Sequence, residues 1–110
     1  MSKYRSQKII IDGISFDSKR EGNRFLELKL LERAGKIKDL KLQHQFELQP
    51  SFKKNGKTIR AITYVADFTY YDFETKRNVV EDVKGFKTDV YMLKRKLFEY
   101  KYPELTIVEV

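Results

Sequence analysis

Cysteine is absent from the chain. That excludes disulfides, thiolate zinc sites and cysteine nucleophiles. Histidine occurs once, at His44. Schemes that need two histidines, such as multi-histidine zinc sites and paired-histidine ribonuclease chemistry, are therefore excluded as well. No apolar run approaches the roughly 18 residues that cross a bilayer. The opening MSKYRSQK has no apolar core of the kind an export signal carries. Internal repeats, linkers and low-complexity stretches are also missing, so residues 1–110 read as one domain. No membrane partner and no small-molecule cofactor are expected.

What the chain does have is a core and a positive charge. Hydrophobic residues make up 41% and aromatics 14% of 110 residues, enough to bury one core. The net charge is +7, which favours a polyanionic partner, with nucleic acid first. The surplus is patchy. Lys53, Lys54, Lys57 and Arg60 fall between residues 51 and 60, where there is no acid. Lys84, Lys87, Lys94, Arg95, Lys96 and Lys101 outnumber Asp89 and Glu99 in a second basic stretch.

Local patterns predict the elements. KIIIDGISFDS has two short apolar runs about Asp12-Gly13, a hairpin signal. A helix follows, with Ser18 as N-cap, Glu21 completing a capping box and Gly35 as the stop. Leu26, Leu30 and Ala34 form its apolar stripe, with Phe25 and Leu28 beside it. LKLQHQFEL, residues 40–48, alternates as a half-buried strand, with Leu40, Leu42, His44, Phe46 and Leu48 on one face. After an Asn55-Gly56 turn, residues 58–71 read as one strand antiparallel to it, with Tyr64, Ala66, Phe68 and Tyr70 sharing a face. A third strand spans 79–84, and a helix runs from about Thr88 to Tyr100 on a Val90, Leu93, Leu97, Tyr100 stripe. LTIVEV is the last strand, placed parallel to an earlier one because a helix precedes it.

Charge appears where these strands should be apolar. Asp82 and Lys84 are two apart and project from one face, and Asp67 belongs to the neighbouring strand. Aspartate is depleted in strands, so two of them with a lysine need a reason. Close carboxylates repel unless a cation lies between them. Mg²⁺ or Mn²⁺ suits oxygen ligands and binds phosphate. With Lys84 to orient a water or stabilise charge on phosphate, the set suits phosphodiester hydrolysis. Glu81 points the other way, so it reads as the structural or salt-bridged member of its pair. Lys87, Thr88 and Lys94 are candidates for phosphate contacts or for a solvated helix flank. His44, beside Leu42 and Phe46, reads as a satisfied core histidine, and Gln43 and Gln45 as a solvated strand face.

ADF at 66–68 followed by EDVKG at 81–85 resembles the PD-(D/E)xK nuclease superfamily, with Ala66 where that motif has proline. Over nearly its whole length the chain also resembles a small phage- and prophage-encoded family known as domain-of-unknown-function family 1064. The resemblance implies an α/β fold with a mixed sheet and a restriction-endonuclease-like core: an N-terminal hairpin, then αβββαβ, with a helix on each side. It implies Mg²⁺- or Mn²⁺-dependent cleavage of DNA, with Asp67 and Asp82 as first and second acids and Lys84 as the lysine. It offers Glu21 as a further metal ligand, against the capping-box role. A structure-selective or weakly specific endonuclease follows, acting in phage DNA recombination or replication. So does a homodimer on two-fold symmetric branched DNA, and a cytoplasmic place on the bacterial host's nucleoid. The rival reading is a basic nucleic-acid-binding module that does not cleave. In either reading Lys53, Lys54, Lys57 and Arg60 hold the phosphate backbone.

Overall fold

The computed structural model describes residues 7–83 and 87–110. Strands β1 (Ile9–Ile11) and β2 (Ile14–Phe16) form the expected hairpin. Asp12 and Gly13 both take positive φ, 51° and 78°, the backbone of a tight two-residue turn. Helix α1 (Lys19–Arg33) starts at Ser18, whose hydroxyl accepts from the Glu21 N–H at 3.1 Å. The hairpin lies against its first turn. A Cβ on Gly22 would come within 2.5 Å of the Ile9 Cδ1, so glycine lets the two elements meet this closely.

Strand β3 (Ile37–Gln49) runs antiparallel to β6 (Ile62–Asp72), β6 to β7 (Arg77–Asp82), and β7 pairs in parallel with β8 (Ile107–Glu109). The sheet is thus mixed, in the order β3-β6-β7-β8. Helix α2 (Asp89–Lys101) provides the crossover into β8. Between β3 and β6 the chain makes a separate ribbon, β4 (Phe52–Lys54) with β5 (Lys57–Ile59). The single strand expected over 58–71 is therefore two, broken at Arg60 and Ala61.

Each face of the sheet carries a core. Phe16, Phe25, Leu28, Ile37, Phe68 and Tyr70 pack on the α1 side. Tyr64, Ala66, Val80, Tyr91, Phe98 and Ile107 pack on the α2 side. Val79 joins the first cluster and Val80 the second, as successive strand residues must when both faces are covered. The result is a mixed sheet with a helix on each side, in agreement with the restriction-endonuclease-like arrangement expected.

Two sequence expectations need correction. Strict alternation put Tyr64, Ala66, Phe68 and Tyr70 on one face, yet the first two pack under α2 and the last two under α1. β3 changes face at the same level: Leu40 and Leu42 join the α1 cluster, Phe46 and Leu48 the α2 cluster. The cause is local. Gln43 takes a φ of 53° within β3, which breaks the pleat while Leu42↔Phe68 and His44↔Ala66 keep register. The residue facing that kink is Asp67.

The helix stripes are the second correction. In α1 the buried positions are Glu21, Gly22, Phe25 and Leu28, while Leu26 and Leu30 face outward. In α2 Val90, Leu93, Leu97 and Tyr100 are 40–87% exposed, and Tyr91 and Phe98 are buried. Aliphatic spacing found the wrong face because aromatic residues fill the core here. Phe98 alone meets Phe46, Tyr64 and Tyr102 within ring-centroid distances of 5.0–5.2 Å. Urea unfolding should register the difference. Phe98→Ala is expected to cost about 3–5 kcal/mol and Leu93→Ala less than about 0.5 kcal/mol. Equal losses would put the stripe back in the core.

Candidate active site

Three acids from three elements meet where the sheet changes face. Glu21 lies in the first turn of α1, Asp67 in β6 opposite the Gln43 kink of β3, and Asp82 at the end of β7. Phe68 pairs with Glu81, so one step further along the ladder Asp67 stands beside Asp82. Asp67 Oδ2 accepts from the Val83 N–H at 2.8 Å, which ties it to the chain just after Asp82. Its Oδ1 accepts from Gln43 Nε2 at 3.4 Å. The residue that kinks β3 thus also touches the acid.

Asp82 is buried at 1% exposure, and its Oδ2 accepts from the Tyr64 hydroxyl at 2.5 Å. Burial first, then that hydrogen bond, pushes the Tyr64 hydroxyl well above its usual range, so it stays a donor. The Glu21 carboxyl hydrogen-bonds Asp67 and is pushed from the usual 4.5 up to about 7. Burial is the largest cause, followed by the negative charges of Asp67, Asp17 and Asp82. Close acids cannot all ionise cheaply, and here the Glu21 carboxyl is the one held toward its protonated form. This engages the Glu21 carboxyl beyond the Ser18 cap, whose bond uses the Glu21 backbone.

A raised carboxyl makes stability depend on pH in a definite direction. Between about 4.5 and 7 the folded chain holds the Glu21 proton and the unfolded chain releases it. The contribution is therefore fully present below about 4.5 and lost as pH rises through 7. It amounts to roughly 3 kcal/mol. Thermal melts from pH 5 to 8 should show wild type losing stability relative to Glu21→Gln across this window. Parallel pH profiles for the two proteins would contradict the raised Glu21 carboxyl.

Donor chemistry and placement give different answers on a metal. Carboxylate oxygens on a basic protein are the donor set a hard divalent cation prefers. As placed, however, no three His, Asp or Glu residues among those described form a group able to hold a metal ion. Asp82 is turned to Tyr64, and Asp67 to Gln43 and the Val83 N–H. The set suits an Mg²⁺ or Mn²⁺ ion by donor type, though not by its present placement. A cleft of about 510 Å³, lined by His44, Phe46, Thr69, Val80 and Leu105 among others, includes none of the three acids. The acids define the candidate site because they are where charge is held against its cost.

Residues 1–110 match the sequence model of the family described as Protein of unknown function (DUF1064). The chain belongs to that family. Comparison with curated proteins and comparison with solved structures each found no match.

The remaining expected residues divide. Lys84 lies outside the described residues. Lys87 Nζ sits 2.8 Å from Glu109 Oε1. Thr88 caps α2, its hydroxyl accepting from the Tyr91 N–H at 3.0 Å. Lys94 makes no ion pair among the described residues and lies half-buried on α2. Lys53, Lys54, Lys57 and Arg60 are exposed on or beside the β4–β5 ribbon, away from the acids. His44, expected to be a satisfied core histidine, is satisfied but only half-buried, at the wall of the cleft. Its Nδ1 lies 2.7 Å from Thr69 Oγ1, its ring stacks on Phe46, and burial followed by the charge of Lys41 lowers its pKa. Gln43, expected to be solvated, is at once exposed and in contact with Asp67.

Sequence reading missed three contributors. Alternation puts Tyr64 on one face with Ala66, Phe68 and Tyr70, and nothing in the sequence gives its hydroxyl a partner. Arg24 binds Glu81 through Nε at 2.8 Å and Nη2 at 2.6 Å, while the Tyr70 hydroxyl donates to the same carboxylate. The expectation of a salt-bridged Glu81 supplied one half of that pair and left its partner open. Glu109, opposite Asp82 in β8, gathers Lys87, Tyr91 and Arg95. These neighbours lower its pKa, the Lys87 contact most. Its position depended on the β7–β8 register, which no local pattern fixes.

Proposed function

We propose that the chain is a metal-dependent DNA endonuclease of the PD-(D/E)xK type. The observation that carries this reading is the convergence of Glu21, Asp67 and Asp82 at the sheet kink, with Glu21 pushed up to about 7 by burial and its acidic neighbours. A binding module that never cleaves has no use for three acids held together at such cost, because they repel phosphate.

Asp67 and Asp82 would hold the Mg²⁺ or Mn²⁺, with Glu21 joining them directly or through water once its proton leaves. The ion, when bound, supplies Lewis-acid polarisation of the phosphate and lowers the pKa of a bound water. Tyr64 holds the buried Asp82 in place, and Gln43 and the Val83 N–H orient Asp67. Lys84, two residues after Asp82, positions the attacking water. Lys94 contacts the phosphate backbone, and Lys87 and Thr88 do so after changing partners.

The test is cleavage of a labelled four-way junction, with linear duplex as control, in Mg²⁺ or Mn²⁺ and in EDTA. Metal-dependent cutting is the expected result, and the ratio of junction to duplex cutting sets the substrate class. Tight binding without cutting in either metal overturns the reading in favour of the non-cleaving module.

A further inference from the structure

The β4–β5 ribbon is not required by the fold. β3 and β6 already pair as far as Gln49↔Ile62, and antiparallel strands are commonly joined by two to five residues. The chain instead spends residues 50–61 on a second hairpin, which joins no other sheet. All six of its strand residues are exposed. Asn55 and Gly56, at φ 51° and 74°, give it a tight turn that keeps the two strands close.

Its cross-strand pairs contradict a purely structural role. Phe52 faces Ile59, Lys53 faces Thr58 and Lys54 faces Lys57. Lys54 opposite Lys57 places like charges directly across the ladder, which destabilises a hairpin that is marginal on its own. The cations are also uncompensated. Lys53, Lys54, Lys57 and Arg60 make no ion pair among the described residues. Arg24, Lys29, Lys87, Arg95 and Lys101 do, while Lys94 does not, so what sets the ribbon apart is four such cations crowded between residues 53 and 60 with no acid among them. Phe52 and Ile59 add an exposed apolar pair at the ribbon's base, 45% and 39% accessible.

We propose that the β4–β5 ribbon is a duplex-binding arm that lies in a groove of B-form DNA, with Lys53, Lys54, Lys57 and Arg60 on the flanking phosphates. A two-stranded ribbon, its strands about 4.8 Å apart, is one of the elements that the roughly 12 Å major groove admits. The narrow major groove of A-form RNA does not admit it. The ribbon's charge and shape stand independently of the nuclease reading, on which the proposal rests only for a second reason to choose DNA.

The experiment measures binding in EDTA, so that cleavage plays no part. Fluorescence anisotropy of a 20-base-pair DNA duplex is followed over a salt series for wild type and for K53A/K54A/K57A/R60A. A control variant, K19A/R33A/K36A, removes exposed cations elsewhere. The ribbon variant should bind at least about tenfold more weakly at 0.1 M salt, with the log–log salt slope shallower by about 3–4, near 0.9 per lost phosphate contact. The control should change the slope by less than about 1. Unchanged affinity and slope in the ribbon variant overturn the proposal, as does an equal loss in the control. An equal or larger loss on an RNA duplex or on single-stranded DNA overturns the groove assignment. A variant F52S/I59S with the cations intact checks that the arm's shape contributes; it should bind more weakly with the salt slope retained. If the chain proves not to cut DNA yet the slope changes as stated, the nuclease reading falls and the arm remains.

Discussion

Asp82→Asn is expected to remove metal-dependent cleavage by about 10³-fold or more while leaving the fold in place. Asparagine has the same shape as aspartate, and its side-chain oxygen still accepts from the Tyr64 hydroxyl, which lies 2.5 Å from Asp82 Oδ2. What it loses is the charge that holds a hard cation. The change in stability should therefore stay within about 1 kcal/mol. Cleavage rate and unfolding midpoint, measured on the same preparation, separate the two roles. Activity lost with the midpoint unchanged makes Asp82 part of the reacting site. Activity retained with the midpoint lowered makes it a buried structural acid, and the nuclease assignment loses its second carboxylate. Glu81→Gln serves as the counterpart. Glu81 is equally buried, but its carboxylate is engaged by Arg24 and Tyr70 on the opposite face. Its effect should fall on stability first.

That these adjacent acids face opposite sides was legible in the sequence, because neighbouring strand residues point to opposite faces whatever surrounds them. The hairpin at Asp12-Gly13, the Ser18 cap and the Asn55-Gly56 turn were legible for a similar reason: each is decided by a few residues and their own backbone preferences. The kink at Gln43 and Asp67 was not. A glutamine at φ 53° carries no sequence signal, and every face assigned by alternation beyond it is inverted. The helix faces failed through a different route. In α2 the aliphatic stripe is regular, yet Tyr91 and Phe98 fill the core because aromatic rings span the gap to Phe46 and Tyr64. Which stripe a sheet accepts depends on volumes contributed from other strands. The same holds for the site. Asp67 and Asp82 follow from spacing, whereas Tyr64, Arg24 and Glu109 take their roles from a register set over the whole sheet.

Arg24→Ala should be among the most destabilising single substitutions in the chain, at about 3–5 kcal/mol, or roughly 10–20 °C in melting temperature. The Glu81 side chain is 1% exposed, and its two oxygens receive Arg24 Nε at 2.8 Å and Nη2 at 2.6 Å. Alanine leaves that carboxylate buried with only the Tyr70 hydroxyl of its described hydrogen-bond donors. The loss reflects the stranded charge rather than the net worth of the pair, and this has a measurable consequence. Arg24→Met combined with Glu81→Leu removes both charges and fills the space, so it should recover most of the stability that either single change loses. Arg24→Lys should recover less, because an ammonium cannot reproduce the two-pronged contact. Position gives the pair a second consequence. It links the first turns of α1, which carry Glu21, to the β7 residue beside Asp82. If that link sets the spacing of the acids, the charge-free double variant regains its melting temperature but cleaves more slowly than wild type. If its cleavage matches wild type, the pair serves the core alone, and the spacing of Glu21, Asp67 and Asp82 is held by the kink at Gln43 and by the Val83 N–H.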